Sequence, residues 1–139
     1  MLLIIEDNEN DAALIRRVLS QRVPAEKIRH VTTPDEAARL LETCDGEAPE
    51  LVLLDLHLPP HSGLEVLERL RAAPQTRHTP IVVMSHSAEG KDVARSYDLG
   101  ANSFLLKAED TEAFEFAISQ LAPYWLELNQ PYALSGAKR

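Results

Sequence analysis

Five side chains that could do chemistry stand at the ends of short apolar runs, and they are Glu6, Asp7, Asp55, Ser85 and Lys107. The runs are LLII, LVLL, IVVM and FLL, which have the length and composition of buried β-strands. In open α/β sheets, ligands bind beyond the carboxyl ends of the strands, which lie at one edge of the sheet. We therefore expect the three carboxylates, the hydroxyl and the ammonium group to share one site.

The chemistry that suits this set is phosphoryl transfer assisted by a metal ion. Three carboxylates close together repel one another, and a hard divalent cation with oxygen ligands relieves that repulsion. Mg²⁺ fits, because it keeps several waters and binds through one or two carboxylates plus a phosphate. Lys107 and the hydroxyl of Ser85 can then hold the remaining phosphoryl oxygens. Asp55 is the expected nucleophile, and its product is an acyl phosphate.

The elements that must position these residues alternate between apolar runs and amphipathic stretches. Thr33 and Ser62 are predicted N-cap residues, because each has an acidic residue three positions later. The pattern predicts helices over residues 34–43, 88–99 and 111–121. Together with the apolar runs, these stretches form a strict alternation of βα units along the chain.

The predicted fold class is α/β, a doubly wound parallel sheet of five strands with five helices and a C-terminal extension. The default strand order is the flavodoxin-like 2-1-3-4-5, in which the first and third strands are neighbours. That order brings Glu6 and Asp7 next to Asp55. We predict one domain over residues 1–121 and an extension over residues 122–139 that forms an interface.

Composition favours a small globular protein of the cytoplasm. The 139 residues suffice for one core and are too few for a second catalytic or DNA-binding domain. A net charge of -8 without a basic cluster argues against nucleic-acid binding. The apolar start ends at Glu6, too early for a signal sequence or a membrane span, so no membrane contact is expected. A single cysteine, Cys44, cannot form an internal disulfide, and we interpret it as a small apolar filler.

Four motifs in this order resemble the receiver domains of two-component response regulators, over roughly residues 1 to 121. They are the pair Glu6-Asp7, the segment LVLLDLHLPPHSG, the hydroxyl in VVMSHS and the lysine in NSFLLK. The resemblance implies that Asp7, Asp55 and the backbone carbonyl of His57 ligate Mg²⁺, while Glu6 acts through bound water. It also implies a sensor histidine kinase as phosphodonor.

The same resemblance assigns further roles. Ser85 is drawn inward on phosphorylation, and Phe104 is the aromatic residue that reports the phosphoryl state to the surface. His57 and His86 stand at positions flanking the phosphoryl site that tune the lifetime of the phosphate. Ala108 replaces the proline that usually follows the lysine with a cis bond, so this loop is expected to differ in shape or to carry strain.

The end of the chain resembles the small stand-alone response regulators that partner phytochrome-type histidine kinases. The segment PYWLELNQP and the non-proline after Lys107 carry this likeness, which makes a bacteriophytochrome a candidate kinase. The extension also holds more apolar side chains than the sheet needs, and such a surplus marks an interface. We therefore predict a homodimer whose interface contains Phe116, Tyr124, Trp125, Leu126 and Leu128.

Other functions fit part of the pattern. A phosphohydrolase of the haloacid-dehalogenase type also places an aspartate after a parallel strand. Such enzymes carry a second aspartate two positions later as general acid, and this chain has His57 at that position. A flavodoxin-like electron carrier needs glycine and hydroxyl donors where this chain has EDNEND. A receiver-shaped scaffold that no longer takes phosphate is a third alternative.

Single residues of the pattern also have ordinary structural explanations. Taken alone, Asp55 could cap a turn and Lys107 could be a solvated surface charge. The histidines lack the spacing of a zinc site.

Overall fold

The computed structural model describes residues 1–43 and 47–132. The interpretation of Cys44 falls outside these residues and stays a prediction.

A parallel sheet forms the centre of the molecule, and its strands are β1 Leu2–Ile5, β2 Ile28–Val31, β3 Leu51–Asp55, β6 Ile81–Ser85 and β7 Ser103–Leu106. Their order is β2-β1-β3-β6-β7. A small antiparallel hairpin, β4 His57–Leu58 and β5 His61–Ser62, lies between β3 and β6 in the chain. Counting only the strands of the large sheet, the order is the predicted flavodoxin-like 2-1-3-4-5, which is confirmed.

Helices cover both faces of the sheet, and they are α1 Glu9–Leu19, α2 Pro34–Glu42, α3 Gly63–Ala72, α4 Gly90–Asp98 and α5 Thr111–Ser119. A short 3₁₀ turn, Ala25–Lys27, leads into β2, and a π-helical segment, Pro123–Leu128, follows α5. The predicted helices were one to three residues too long at their ends, where local hydrogen bonding rather than periodicity decides the boundary.

The predicted N-caps are present. The hydroxyl of Thr33 accepts a hydrogen bond from the backbone N–H of Glu36 at 3.2 Å, as the capping-box spacing predicts. The hydroxyl of Ser62 instead accepts from the N–H of Leu64 at 3.1 Å, one residue earlier than the spacing of Ser62 and Glu65 predicts. In both helices a donor at the open N-terminus is satisfied by a side chain, which fixes where the helix begins.

Alternate residues of the strands build two cores, one on each face of the sheet. One core packs Leu2, Ile4 and Leu53 against α1 and α5. The other packs Leu54 and Val83 against α2 and α3. Because side chains in a strand point alternately to the two faces, strands buried on both faces must be apolar throughout. This explains the uninterrupted runs in the sequence.

Two irregular segments bear on the predictions. The hairpin of β4 and β5 was not predicted, because two-residue strands produce no periodic pattern. Among the described residues, the only cis peptide bond joins Pro59 and Pro60. The bond between Lys107 and Ala108 is therefore trans, and this loop differs in shape from one with a cis bond after the lysine, as the replacement of proline by Ala108 predicts.

The segment after α5 contributes to the core, contrary to the expectation that the sheet does not need it. Leu121 and Ala122 are buried in the core beneath α1 and α5, and Trp125 and Leu126 pack against that core while partly exposed. Glu127 also pairs with Arg22 at 2.5 Å. The proposed boundary after Leu121 thus falls within a region of continuous packing.

None of the helices that the structure describes is long and apolar enough to span a membrane.

Candidate functional site

Glu6, Asp7 and Asp55 meet at the carboxyl edge of the sheet, as predicted. Parallel pairing places Ile5 opposite Leu54, so the residues that follow β1 come beside the end of β3. One carboxylate oxygen from each acid lies within 4.8 Å of the others. Glu6 and Asp55 are buried, whereas Asp7 is exposed. These oxygens fit a hard divalent cation such as Mg²⁺, with the exposed side open for water or phosphate.

Backbone hydrogen bonds hold the acids in place. The N–H of Glu6 donates to the carbonyl of Val31 at 3.1 Å, which extends the pairing of β1 with β2 by one residue. The N–H of His57 donates to Oδ1 of Asp55 at 3.0 Å. This bond turns one oxygen of Asp55 toward the start of the hairpin and leaves Oδ2 for the other side of the site.

Lys107 reaches the same site from β7. Its N–H donates to the carbonyl of Ser85 at 2.7 Å, which ties it to the end of β6. Its Nζ lies 3.2 Å from Oδ2 of Asp55 and also donates to Oε1 of Glu6. Only 2% of the surface of Lys107 is exposed, so this residue is not a solvated surface charge. The structure therefore brings the predicted lysine onto the predicted nucleophile.

Asp11 belongs to the same cluster, and sequence analysis missed it. Nζ of Lys107 lies 3.0 Å from Oδ2 of Asp11, and Nε2 of His86 lies 3.4 Å from the same oxygen. Asp11 stands in the first turns of α1, where acids are common because they favour the helix dipole. The available signal was its position in the first turn of the helix that follows β1, because that helix begins at the edge of the sheet where the strands end.

Burial and the charges of neighbouring groups shift the pKa values of Glu6 and Lys107, two buried members of the cluster. Burial raises the pKa of Glu6 from 4.5 to about 8, and the hydrogen bond with Asp55 adds to the rise, which the Lys107 ammonium only partly offsets. Burial alone would lower the pKa of Lys107, but the hydrogen bond and charge of Glu6 and the charge of Asp55 raise it. Without a metal ion, the site therefore retains its protons strongly.

Gly63 allows the first turn of α3 to lie directly against the backbone of Asp55. A Cβ atom at this position would come within 2.2 Å of the carbonyl oxygen of Asp55 and 2.6 Å of Cα of Leu56. The N–H of Gly63 also donates to the carbonyl of Leu56 at 2.8 Å. The need for a glycine here is a packing requirement of the acceptor strand.

The predicted switch residues lie beside the site but not in it. Ser85 is half-buried, and its hydroxyl accepts from the N–H of Ser87 at 3.1 Å. Phe104 is partly buried and packs against the core shared with α2 and α3. A surface cavity of about 420 Å³ is lined by residues that include His57, Ser85 and His86. The cavity therefore lies beside the end of β3, with Leu56 and His57, the two residues after Asp55, in its lining.

The residues predicted for an interface divide into two sets. Phe116, Tyr124 and Leu128 are 66%, 50% and 75% exposed. Trp125 and Leu126 instead pack against the chain's own core. Exposed apolar side chains are available for a partner, whereas the partly buried pair has a role within the fold.

Comparison with known proteins agrees with this geometry. The model of the response regulator receiver domain family matches residues 2–119. Response regulator Rcp1 from a Synechocystis strain is 30% identical over 132 residues, which cover 91% of this chain and 89% of Rcp1. A probable methanogenesis regulatory protein, FilR2 from Methanothrix harundinacea, is 31% identical over 133 residues, covering 94% of this chain and 86% of FilR2.

Solved structures show the same fold. The phosphorylated cyanobacterial phytochrome response regulator RcpA superposes with a TM-score of 0.87 at 28% identity, covering 95% of this chain and 97% of that one. The Mn²⁺-bound form of Rcp1 gives 0.81 at 28% identity, covering 95% and 98%. The bacteriophytochrome response regulator RtBRR gives 0.70 at 32% identity, covering 94% and 82%. The chain therefore belongs to the response regulator receiver domain family, and its neighbours include regulators that partner phytochromes.

Proposed function

We propose that this protein is a single-domain response regulator that accepts a phosphoryl group on Asp55 from a sensor histidine kinase in a Mg²⁺-dependent reaction. The observation that carries the proposal is the position of Asp55. Its Oδ2 lies 3.2 Å from the Lys107 ammonium, and the same side chain belongs to the metal-capable group with Glu6 and Asp7. A carboxylate with a cation on one side and a metal site on the other suits attack on phosphorus.

In the proposed reaction, a carboxylate oxygen of Asp55 attacks the phosphorus of a phosphorylated histidine. The new O–P bond forms as the P–N bond breaks, and the electron pair returns to the imidazole of the kinase. Lys107 neutralises charge on the phosphoryl oxygens. When bound, Mg²⁺ would be held by Asp7, Asp55 and the carbonyl of His57, with Glu6 acting through water, and would supply further charge neutralisation.

The proposed signal begins at Ser85. On phosphorylation its hydroxyl leaves the N–H of Ser87 and turns toward the phosphoryl group. The side chain of Phe104, which is partly exposed in this structure, then moves inward and changes the surface around β7. The protein acts on its own phosphate only, and the signal leaves by protein contact or by phosphorelay.

The proposed partners follow from the relatives. RcpA is a cyanobacterial phytochrome response regulator and RtBRR a bacteriophytochrome response regulator, which supports a bacteriophytochrome kinase as the phosphodonor. We further propose that residues 1–121 act as the receiver domain and residues 122–139 as an extension that forms a homodimer. Phe116, Tyr124 and Leu128 supply the exposed surface of this interface, and Trp125 and Leu126 pack between that surface and the core.

The proposed location is the cytoplasm, without nucleic-acid or membrane contact, in keeping with the charge of -8.

Intact-mass measurement after incubation with Mg²⁺ and phosphoramidate tests the acceptor. We expect one phosphoryl adduct in the wild type and none in Asp55→Asn or after chelation of the metal. Asp98→Asn removes the same charge from an exposed position on α4 and serves as the matched control, which should keep the adduct. An adduct that persists in Asp55→Asn, or that never forms in the wild type, would show that the proposal is wrong.

A further inference from the structure

The Lys107 ammonium has three hydrogen-bond donors, and three carboxylates surround it. Glu6, Asp11 at 3.0 Å and Asp55 at 3.2 Å are its partners. All of its N–H groups are therefore engaged before any phosphoryl group arrives. Because Lys107 is buried, solvent cannot replace a lost partner.

Two of these partners are also groups that a metal ion would use. Glu6 and Asp55 belong with Asp7 to the set whose oxygens lie within 4.8 Å of one another. A divalent cation at that set would repel the ammonium and draw on two of the same carboxylates. Lys107 would then stay near Asp55 only if a group other than Glu6, Asp7 and Asp55 held its ammonium.

Asp11 meets that requirement among the described residues. It contacts Lys107 but is not a member of the metal-capable set. Asp11 lies on α1, whereas Glu6, Asp7 and Asp55 lie at the ends of strands. Its side chain is one-fifth exposed, so its carboxylate remains solvated while it accepts from the buried ammonium. His86 approaches the same oxygen from the loop after β6.

We propose that Asp11 is a positioning residue that anchors the Lys107 ammonium independently of the metal, so that the lysine stays beside Asp55 when Mg²⁺ occupies the site. This rests on the proposed phosphoryl-acceptor function. Asp11 acts through Lys107 and touches neither the metal nor the phosphoryl group. Its loss leaves the metal-free site intact, because Glu6 and Asp55 still hold the lysine, and disturbs the metal-loaded site.

Asp11→Asn tests the inference in the full-length protein, with two measurements. The first is the ¹H–¹⁵N signal of the Lys107 ammonium during Mg²⁺ titration, which should be protected from exchange because the group is buried. The second is the initial rate of phosphorylation by phosphoramidate at saturating Mg²⁺, with the Mg²⁺ dissociation constant measured by calorimetry. Glu9→Gln removes the same charge from an exposed position in the same turn of α1 and is the matched control.

We expect the wild type and Glu9→Gln to keep the ammonium signal in Mg²⁺. Asp11→Asn should keep it without metal and lose it as Mg²⁺ is added, while the phosphorylation rate falls by up to about a hundredfold, the loss that a misplacement of about 1 Å can cause. Asp11→Glu should recover part of the rate. The inference is overturned if Asp11→Asn retains either the signal in Mg²⁺ or the wild-type rate. An absence of adduct in the wild type would instead contradict the acceptor function, and the ammonium signal would still decide the role of Asp11.

Discussion

Among single residues, an excess of negative charge characterises the proposed acceptor site. Glu6, Asp11 and Asp55 surround one ammonium, that of Lys107, and Asp7 lies beside Glu6 and Asp55. The pKa of Glu6 is raised to about 8 mainly by burial, so the metal-free site holds a proton that an unfolded chain releases near 4.5. Metal ion and proton therefore compete for the same carboxylate.

This competition predicts how stability depends on pH. Between about 4.5 and about 8 the folded state binds more protons than the unfolded state, so the metal-free protein should lose stability as pH rises. Glu6→Gln removes this titration. Urea unfolding at fixed pH values with a chelator should give a wild-type curve that falls more steeply than that of Glu6→Gln over this range. Parallel curves would show that Glu6 does not titrate in this way.

Magnesium should reverse the trend. As pH rises toward 8, protons leave Glu6 and the apparent affinity for Mg²⁺ should increase. Calorimetry between pH 6 and pH 8 in buffers of different ionisation enthalpy should detect proton release on binding.

At the scale of elements, the acceptor depends on how closely α3 approaches β3. Ser62 caps the helix and Gly63 opens it, and the backbone of Asp55 lies where a side chain at Gly63 would stand. The contact is with backbone atoms, which cannot swing aside as the tip of a long side chain can. α4 also begins with a glycine, Gly90, but no atom lies within 4 Å of the place where its Cβ would be.

These two glycines form a matched pair for mutation. Gly63→Ala forces the helix away from the strand and should cost about 1–3 kcal/mol of unfolding free energy, as overpacking usually does. It should also slow phosphorylation, because Asp55 moves with its backbone. Gly90→Ala should leave stability unchanged or raise it by up to about 1 kcal/mol through the entropy of the unfolded chain. Denaturant unfolding measures both, and equal effects would contradict the packing argument.

At the scale of the whole molecule, the segment after α5 serves the core and presents a surface. Leu121 and Ala122 lie within one core, and Trp125 and Leu126 pack onto it. The pair Arg22 and Glu127 adds a contact whose two side chains are each 54% exposed, so it contributes little by itself. Tyr124 and Leu128 project outward from the same segment.

Two substitutions should separate these roles. Trp125→Ala should lower the unfolding free energy by about 2 kcal/mol, less than for a fully buried aromatic residue. Leu128→Ser should change monomer stability by less than about 0.5 kcal/mol and should weaken the proposed dimer. Chemical denaturation and equilibrium sedimentation measure the two effects. A dimerisation constant unchanged in Leu128→Ser would remove this residue from the interface.

The amino-acid sequence was enough to predict the fold class and to bring together most residues of the proposed acceptor site. Uninterrupted apolar runs predict strands buried on both faces, and strand ends of a parallel sheet share one edge, so Asp55, Lys107 and the pair Glu6 and Asp7 could be placed together. Periodicity and capping also identified the helices that cover the sheet. These signals are local in the chain, which is why one sequence suffices to read them.

Which side chains touch one another could be read only from the folded structure. The approach of Asp11 to Lys107 and the contact of Gly63 with Asp55 join elements far apart in the sequence, and their distances depend on how helices settle on the sheet. The core role of Trp125 is of the same kind, because a turn of chain after α5 can point its apolar side inward or outward. Composition shows that such side chains are present, but the residues that they contact depend on how the folded chain packs.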